Sequence, residues 1–557
     1  MTVDVPPGPL LSTRLADLRQ RVRAAMDAPI VRWSCPERID STYLGEPLAL
    51  RKARAVATKL AAMPTDLWDG QLLAGSMTLE SPRLHAEWGF PDYVTDAERD
   101  AARERGQSIH SVFGHIVPDY PTLLAKGLSG IRAEAEAQRP LCTSPDEVAF
   151  LDSVQVALDA VIAFAERLAE RCAAEADEAE GSRAGELRQM AANLRVAPVG
   201  PAQTFWQGLQ SVWLLHMVFH CTLDGNALGR ADQYLWPLLA ADLEAGRLDP
   251  EQAAELVGCF TLKFNERAKT TDEQRPENRA PEPLAAIGGT RHHTSSQVGS
   301  RRDGLDATNH WLQNIVLGGL RPDGTDGTNP LTFLLLDAYD ANQMTNPLLT
   351  VRLHDGSPTE LWRETARVLR GGGGMPALFN DEALVPALER LGIPTADARD
   401  YTNDGCWEVI IPGRTDFGFL RLSLMLPLER VLAAGVDYPS FDALFEAWRG
   451  ELDAVIGATV ERVVAGIDNR SLIAPVPLLS ALIDGTLANR RDLTAGGAKY
   501  RTFALLAESA AHCIDSLTAI RRVVYGQRIC PLRELREALA ADFAGHEWLR
   551  RHLLAAP

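Results

Sequence analysis

The string YTNDGCWEVIIPG (401–413) places a thiol, Cys406, two residues before a carboxylate, Glu408, in a stretch that starts polar and turns apolar. On an extended tip, residues two apart point to the same side, so sulfur and carboxylate would face one substrate. A cysteine beside a proton-handling carboxylate suits covalent or acid–base chemistry. The tripeptide alone more often marks a small buried hydrophobe beside a surface glutamate, so its context has to carry the functional reading. A thiolate nucleophile needs a positive neighbour to lower its pKa, and the near charges, Asp404 and Glu408, have the wrong sign. A neutral thiol used for hydrogen-atom transfer has no such requirement. The acidic surroundings therefore favour one-electron chemistry, with Glu408 moving a proton on the substrate.

Other chemistry-bearing residues are weaker. His115, in FGHIVPDYPTLLAKGLSGI (113–131), sits on a Gly-led turn before a Pro-initiated helix, where it serves structure or contacts a ligand. His292 and His293 lack a third ligand, so no metal is expected. Gly371–Gly374 carries no GK[ST] sequel and implies a close backbone approach rather than a phosphate cradle. The eight cysteines show neither CxxC nor Cys/His ligand spacing, so reduced thiols are the expectation.

These residues need a large scaffold. Helical spacing of apolar residues marks 147–195 as a long helix or helix pair, and the pattern recurs at 204–221, 231–246, 250–268, 360–370, 441–466 and 502–524. Short apolar runs at 331–337, 347–353 and 376–379 are expected as buried strands. No low-complexity linker divides the 557 residues, so one α/β domain over 1–557 is expected. A formal charge of −18 leaves no electrostatic footprint for nucleic acid and points to small-molecule or protein partners. No apolar run of roughly 20 residues and no signal-like start are evident, so no membrane partner and a cytoplasmic location are expected.

In order along the chain, these pieces resemble the glycyl radical enzymes, the pyruvate formate-lyase-like family, in its Gly-Cys-x-Glu subgroup. The likeness runs from GEPLALRKARAVATKLAAMPTDLWDGQLLAGS (45–76) through TFWQGLQSVWLLHMVFH (204–220), GRADQYLWPLLAADLEAGRL (229–248) and QNIVLGGLRPDGTDGTNPLTFLLLDA (313–338). It continues through PLLTVRLHDGSP (347–358), GGGGMPALFNDE (371–382), ARDYTNDGCWE (398–408) and DSLTAIRRVVY (515–525). The resemblance implies a ten-stranded α/β barrel of two antiparallel five-stranded halves surrounded by helices, with the Cys406 loop inside. It implies that Cys406 becomes a thiyl radical that takes a hydrogen atom from substrate, that Glu408 is a general base or acid, and that His115 contacts substrate. No directly bound cofactor is implied.

Three departures refine this. Gly405 replaces the first of the adjacent cysteines of pyruvate formate-lyase itself, so acyl transfer is not expected. Ala227 and Phe419–Leu420 stand near positions where diol dehydratase-like members have a serine and a His-Asp pair, so the pocket and its substrate are expected to be less polar. The Arg-Val-x-Gly-Tyr loop whose glycine stores the radical follows the segment matching FAGHEWLRRHLLAAP (543–557) in the family, and VVYGQR (523–528) lacks its order. The expectation is the large subunit of a split lyase, breaking a C–O, C–N or C–C bond. A small glycyl-radical-bearing subunit and a radical SAM activase would be its partners, and the family implies a homodimer. Two alternatives fit the same residues: a barrel without radical chemistry that serves as a binding or scaffold subunit, and a longer polypeptide that carries the loop itself.

Overall fold

The computed structural model describes residues 12–27, 35–77, 90–107, 114–222, 226–266, 313–344, 346–371, 374–405 and 407–556. The chain divides into two compact units, where one domain was expected from the sequence. The first comprises, among the described residues, those up to 266 together with 313–417 and 468–502; the second comprises 418–467 and 503–556.

In the first unit, Pro145–Glu178 and Gly181–Val196 form the long helix pair. Ser144 caps the first helix by accepting from the Glu147 N–H, and Pro145 sits where no backbone donor is needed. By length and composition this helix could cross a membrane, contrary to the sequence expectation that no run comes close. Phe150, Leu151, Val154, Leu158, Val161 and Leu168 on its apolar face are instead buried, and it packs on Leu48–Ala62, Tyr120–Gln138 and Gly181–Val196. Helix Phe205–Cys221 is buried all round, as its near-continuous apolar run requires.

Seven strands are present among the described residues, in three sheets. Strands β1 (Asn314–Gly318), β2 (Leu348–Leu353) and β3 (Ala377–Asn380) are parallel in the order β1-β2-β3, with Ile315 opposite Leu349 and Val351 opposite Leu378. Strands β4 (Thr402–Asp404) and β5 (Glu408–Ile410) make an antiparallel hairpin, and β6 (Thr415–Ser423) pairs with β7 (Tyr500–Glu508). Two expectations fail. Residues 331–337 lie in helix Pro330–Asn342, where Asn329 and Thr332 form a reciprocal capping box and burial on all sides removes the periodic signal that separates helix from strand. Residues 502–508 belong to β7, and the helix starts only at Ala510.

A buried ionic cluster ties these strands to the segment that enters the hairpin. Arg352 on β2 is fully buried; its Nε and Nη2 each lie 2.9 Å from a different oxygen of Asp381. Its Nη1 donates to the Tyr401 carbonyl at 2.7 Å and its Nη2 to the Arg399 carbonyl at 2.8 Å, while Tyr401 Oη donates to Asp381 at 2.8 Å. The guanidinium also covers the Tyr401 ring, 3.7 Å from its centroid. A Cβ on Gly319 would stand 2.6 Å from Arg352 Nε, so this approach requires glycine. Nearby, Arg230 bonds Gly318 and Arg399 carbonyls and pairs with Asp400 at 3.1 Å; burial, and behind it the charge of Arg352, pulls its guanidinium down to about 10.

The second unit is helical: Met425–Ala433, Phe441–Gly466, Ala510–Ile520, Leu532–Ala540 and Glu547–Leu554 contribute to one apolar core. Within VVYGQR, Val523 and Val524 are buried in that core and Tyr525 packs against it, while Gly526, Gln527 and Arg528 are exposed.

Burial works to raise the Asp381 carboxyl, and the hydrogen bonds and charge of Arg352 overcome it and hold it below the usual carboxylate range. A lowered folded value supplies stability that is complete above the unfolded value of about 3.9 and is lost as pH falls through the folded one. Asp381→Asn strands the Arg352 charge and is expected to cost about 3–5 kcal/mol in urea unfolding at pH 7. The gap between variant and parent should narrow below about pH 4.

Candidate active site

The hairpin β4–β5 is the element that carries the sequence-selected chemistry. Its register places Thr402 opposite Ile410, Asn403 opposite Val409 and Asp404 opposite Glu408. Cross-strand partners project to one face, so the side chains of Asp404 and Glu408 share a face at the end of the hairpin, close enough for the Glu408 charge to act on Asp404. The turn is closed by the Trp407 N–H donating to the Asp404 carbonyl at 3.0 Å. Trp407 has a φ of +78°, left-handed for a bulky residue, and Gly405 a φ of +52°. The tip is thus a tight turn and not the extended segment expected from the sequence. Cys406 itself lies outside the described residues, as do His292 and His293.

His115 comes to the same place from a different part of the chain. Its Nδ1 is 3.2 Å from Glu408 Oε2, with the Glu408 side chain 1% exposed and that of His115 16%. The segment holding it is fastened on both sides: the Ile116 carbonyl accepts from the Ala227 N–H at 3.2 Å, and the Val117 carbonyl from the Gly413 N–H at 2.7 Å. His115 also takes a left-handed φ of +66°, which turns its ring onto Phe417, 6.3 Å between centroids and 28° between planes. The structure therefore brings two of the three sequence-selected residues together.

Sequence reasoning saw Asp404 only as a charge of the wrong sign and passed over Tyr120 and Asn314. Asp404 is fully buried; Oδ1 accepts the Gly405 N–H, and Oδ2 has no hydrogen-bond partner. Burial pushes its carboxyl well above the usual range and the Glu408 charge adds to this, against the Gly405 and Ala227 backbone N–H groups. Tyr120 Oη is buried without a hydrogen-bond partner, its phenol raised by burial and by Asp404. Asn314 Nδ2 on β1 donates to the Gly405 carbonyl at 3.4 Å, and among the described residues its side-chain oxygen Oδ1 and both Glu408 oxygens have no hydrogen-bond partner. Buried polar atoms are normally satisfied, so this concentration marks a place that receives a polar ligand. Ala227 is buried, and its N–H faces Asp404. Phe419 and Leu420 fall in the second unit. The strand alternation of YTND, read against EVI in an antiparallel hairpin, was the available signal for Asp404.

Residues 85–557 match the family described as Pyruvate formate lyase-like. The chain belongs to that family. Among pyruvate formate lyase-like relatives, a probable dehydratase, YbiW, of Escherichia coli (strain K12) is 30% identical over 489 residues, covering 79% of this chain and 55% of that protein. Trans-4-hydroxy-L-proline dehydratase of Clostridioides difficile is 28% identical over 518 residues, covering 85% and 62%. The chain thus spans about half to three-fifths of the length of these curated relatives. A solved structure concerning 1,2-propanediol dehydration in Roseburia inulinivorans superposes with a TM-score of 0.80 at 25% identity, covering 98% of this chain and 74% of that one. A glycyl radical enzyme from Archaeoglobus fulgidus gives 0.78 at 23%, covering 98% and 76%. The fold class expected from the sequence, the glycyl radical enzyme α/β barrel, is borne out.

Gly413 is a stringent position in this site. With φ at +66°, a Cβ there would lie 2.7 Å from Asp119 Cβ and 2.9 Å from its Cα. Gly413→Ala is expected to loosen the Gly413–Val117 bond and cost about 1–3 kcal/mol in urea unfolding.

Proposed function

We propose that this chain is the barrel of a thiyl-radical lyase of the dehydratase or decarboxylase type, acting on a small organic substrate. The observation that supports this most is Glu408: a buried carboxylate with unbonded oxygens, 3.2 Å from His115, on the hairpin whose turn includes position 406 in sequence. In this reading Cys406, as a thiyl radical, takes a hydrogen atom from a substrate carbon, breaking C–H and forming S–H. Glu408 accepts a proton from the substrate radical, which weakens the adjacent C–O, C–N or C–C bond; His115 orients the group being deprotonated. After that bond breaks, the product radical takes the hydrogen atom back from the thiol.

The substrate would combine an apolar part with one polar reacting centre. Phe417 and Ala227 offer apolar walls, while Glu408, His115 and the Asp404 carboxyl offer polar partners. A glycyl loop from outside these 557 residues, in a small subunit, and a radical SAM activase would supply the radical. No acyl transfer is included, because Gly405 precedes the thiol.

Under anaerobic conditions the chain, a polypeptide bearing an Arg-Val-x-Gly-Tyr loop and an activase together should give a glycyl doublet in EPR and turnover of a small hydroxylated, aminated or carboxylated substrate. Cys406→Ser should abolish turnover, and Glu408→Gln should lower it by about 100-fold or more. Turnover surviving Cys406→Ser would sink the thiyl role. A missing doublet would favour the scaffold reading.

A further inference from the structure

Two carboxyl groups meet on one face of the β4–β5 hairpin, and the reading above gives a task to only one of them. Asp404 and Glu408 are register partners across the antiparallel pair, both are buried, and among the described residues no lysine or arginine pairs with either. Around them stand three groups from other elements: Tyr120 at the start of helix Tyr120–Gln138, His115 facing Glu408, and the Ala227 N–H facing Asp404. Among the described residues, Asp404 Oδ1 accepts the Gly405 N–H and the Ala227 N–H approaches Asp404, while Asp404 Oδ2 and both Glu408 oxygens have no hydrogen-bond partner. Two adjacent carboxylates in so dry a place cannot both ionise, and burial together with the neighbouring charge assigns the retained proton to Asp404. Oδ1 is engaged by the Gly405 N–H, so the proton belongs on Oδ2, which has no hydrogen-bond partner.

We infer that Asp404 is the acid partner of Glu408, giving a proton from Oδ2 to the departing group while Glu408 takes one from the substrate. The inference rests on the lyase reading. For a diol the steps balance as follows. The substrate radical loses its hydroxyl proton to the Glu408 carboxylate. The neighbouring C–O bond then breaks with its electron pair going to oxygen, and the Asp404 proton joins that oxygen to release water. The carbon radical left behind regains a hydrogen atom from the thiol. One turnover leaves Glu408 protonated and Asp404 ionised, and a proton passing between these cross-strand neighbours restores the starting state. An amine leaving group is served in the same way. Tyr120, its phenol pushed up chiefly by burial, belongs to the same buried cluster.

The test separates the proton's position from turnover. Asp404→Asn keeps the shape and the acceptor for the Gly405 N–H, and cannot release a proton. Infrared spectra of the unactivated 557-residue chain at neutral pH should show a protonated carboxylic acid band that vanishes in Asp404→Asn and persists in Glu408→Gln. No such band, or one lost only in Glu408→Gln, overturns the inference. With the radical supplied, Asp404→Asn should lower turnover by about 100-fold and remove the alkaline limb of the pH profile while leaving the acidic limb. Parental turnover in Asp404→Asn, or an unchanged alkaline limb, also overturns it. A parent chain that carries the infrared band and turns over nothing counts against the lyase reading and, with it, the acid role, while the proton's assignment to Asp404 stands.

Discussion

Arg352 brings a full positive charge into an interior that excludes water, and a charge in that position has to be met on every side. Asp381 neutralises it through two hydrogen bonds, two backbone carbonyls take further donors, and the Tyr401 face covers the plane. The result is more than a local ion pair. Arg352 belongs to β2, Asp381 follows β3, Tyr401 leads into β4, and the second Asp381 oxygen also receives the Leu320 N–H just beyond β1. One buried charge thereby fixes the parallel sheet against the entry to the β4–β5 hairpin. The desolvation cost makes such a cluster a poor source of net stability, and a strong constraint on geometry.

The same logic of dry electrostatics governs the site, with the opposite sign. There two carboxyl groups share a face with no lysine or arginine paired to them among the described residues, and burial together with the Glu408 charge pushes the Asp404 carboxyl well above the usual range. The contrast with Asp381 is instructive: a buried aspartate is held below the usual carboxylate range when a guanidinium faces it and pushed above that range when burial goes unopposed beside a glutamate. Residue type alone does not distinguish the two, and the register of a three-residue strand does.

That contrast also explains what could be read from the sequence. The helix pair 145–196, the helices 205–221 and 441–466 and strand β2 were legible because amphipathic or apolar periodicity runs long enough to declare itself. The run LTFLLLD was misassigned because burial on every side erases periodicity, and the decisive cue was the small capping box at Asn329. Glu408 and His115 could be selected one at a time; their meeting depends on a segment more than 290 residues away being fastened by main-chain hydrogen bonds, which side-chain identity does not encode. Asp404 was misread because its neighbours were counted along the chain and not across the hairpin.

The anchors of the hairpin grip main-chain atoms: the carbonyls of residues 399 and 401 on Arg352, that of Gly318 on Arg230, and those of 116 and 117 on the segment beside the site. The entry to positions 402–404 is thus located by main-chain groups, to which the Asp404 side chain adds a hold on the Gly405 N–H. Selectivity and scaffold are in this sense largely uncoupled. A change at 403, or one at 404 that keeps the acceptor, can recast which protons and which substrates the hairpin handles while the chain path stays put, and a barrel built this way can be retasked by point substitutions rather than by rebuilding its frame.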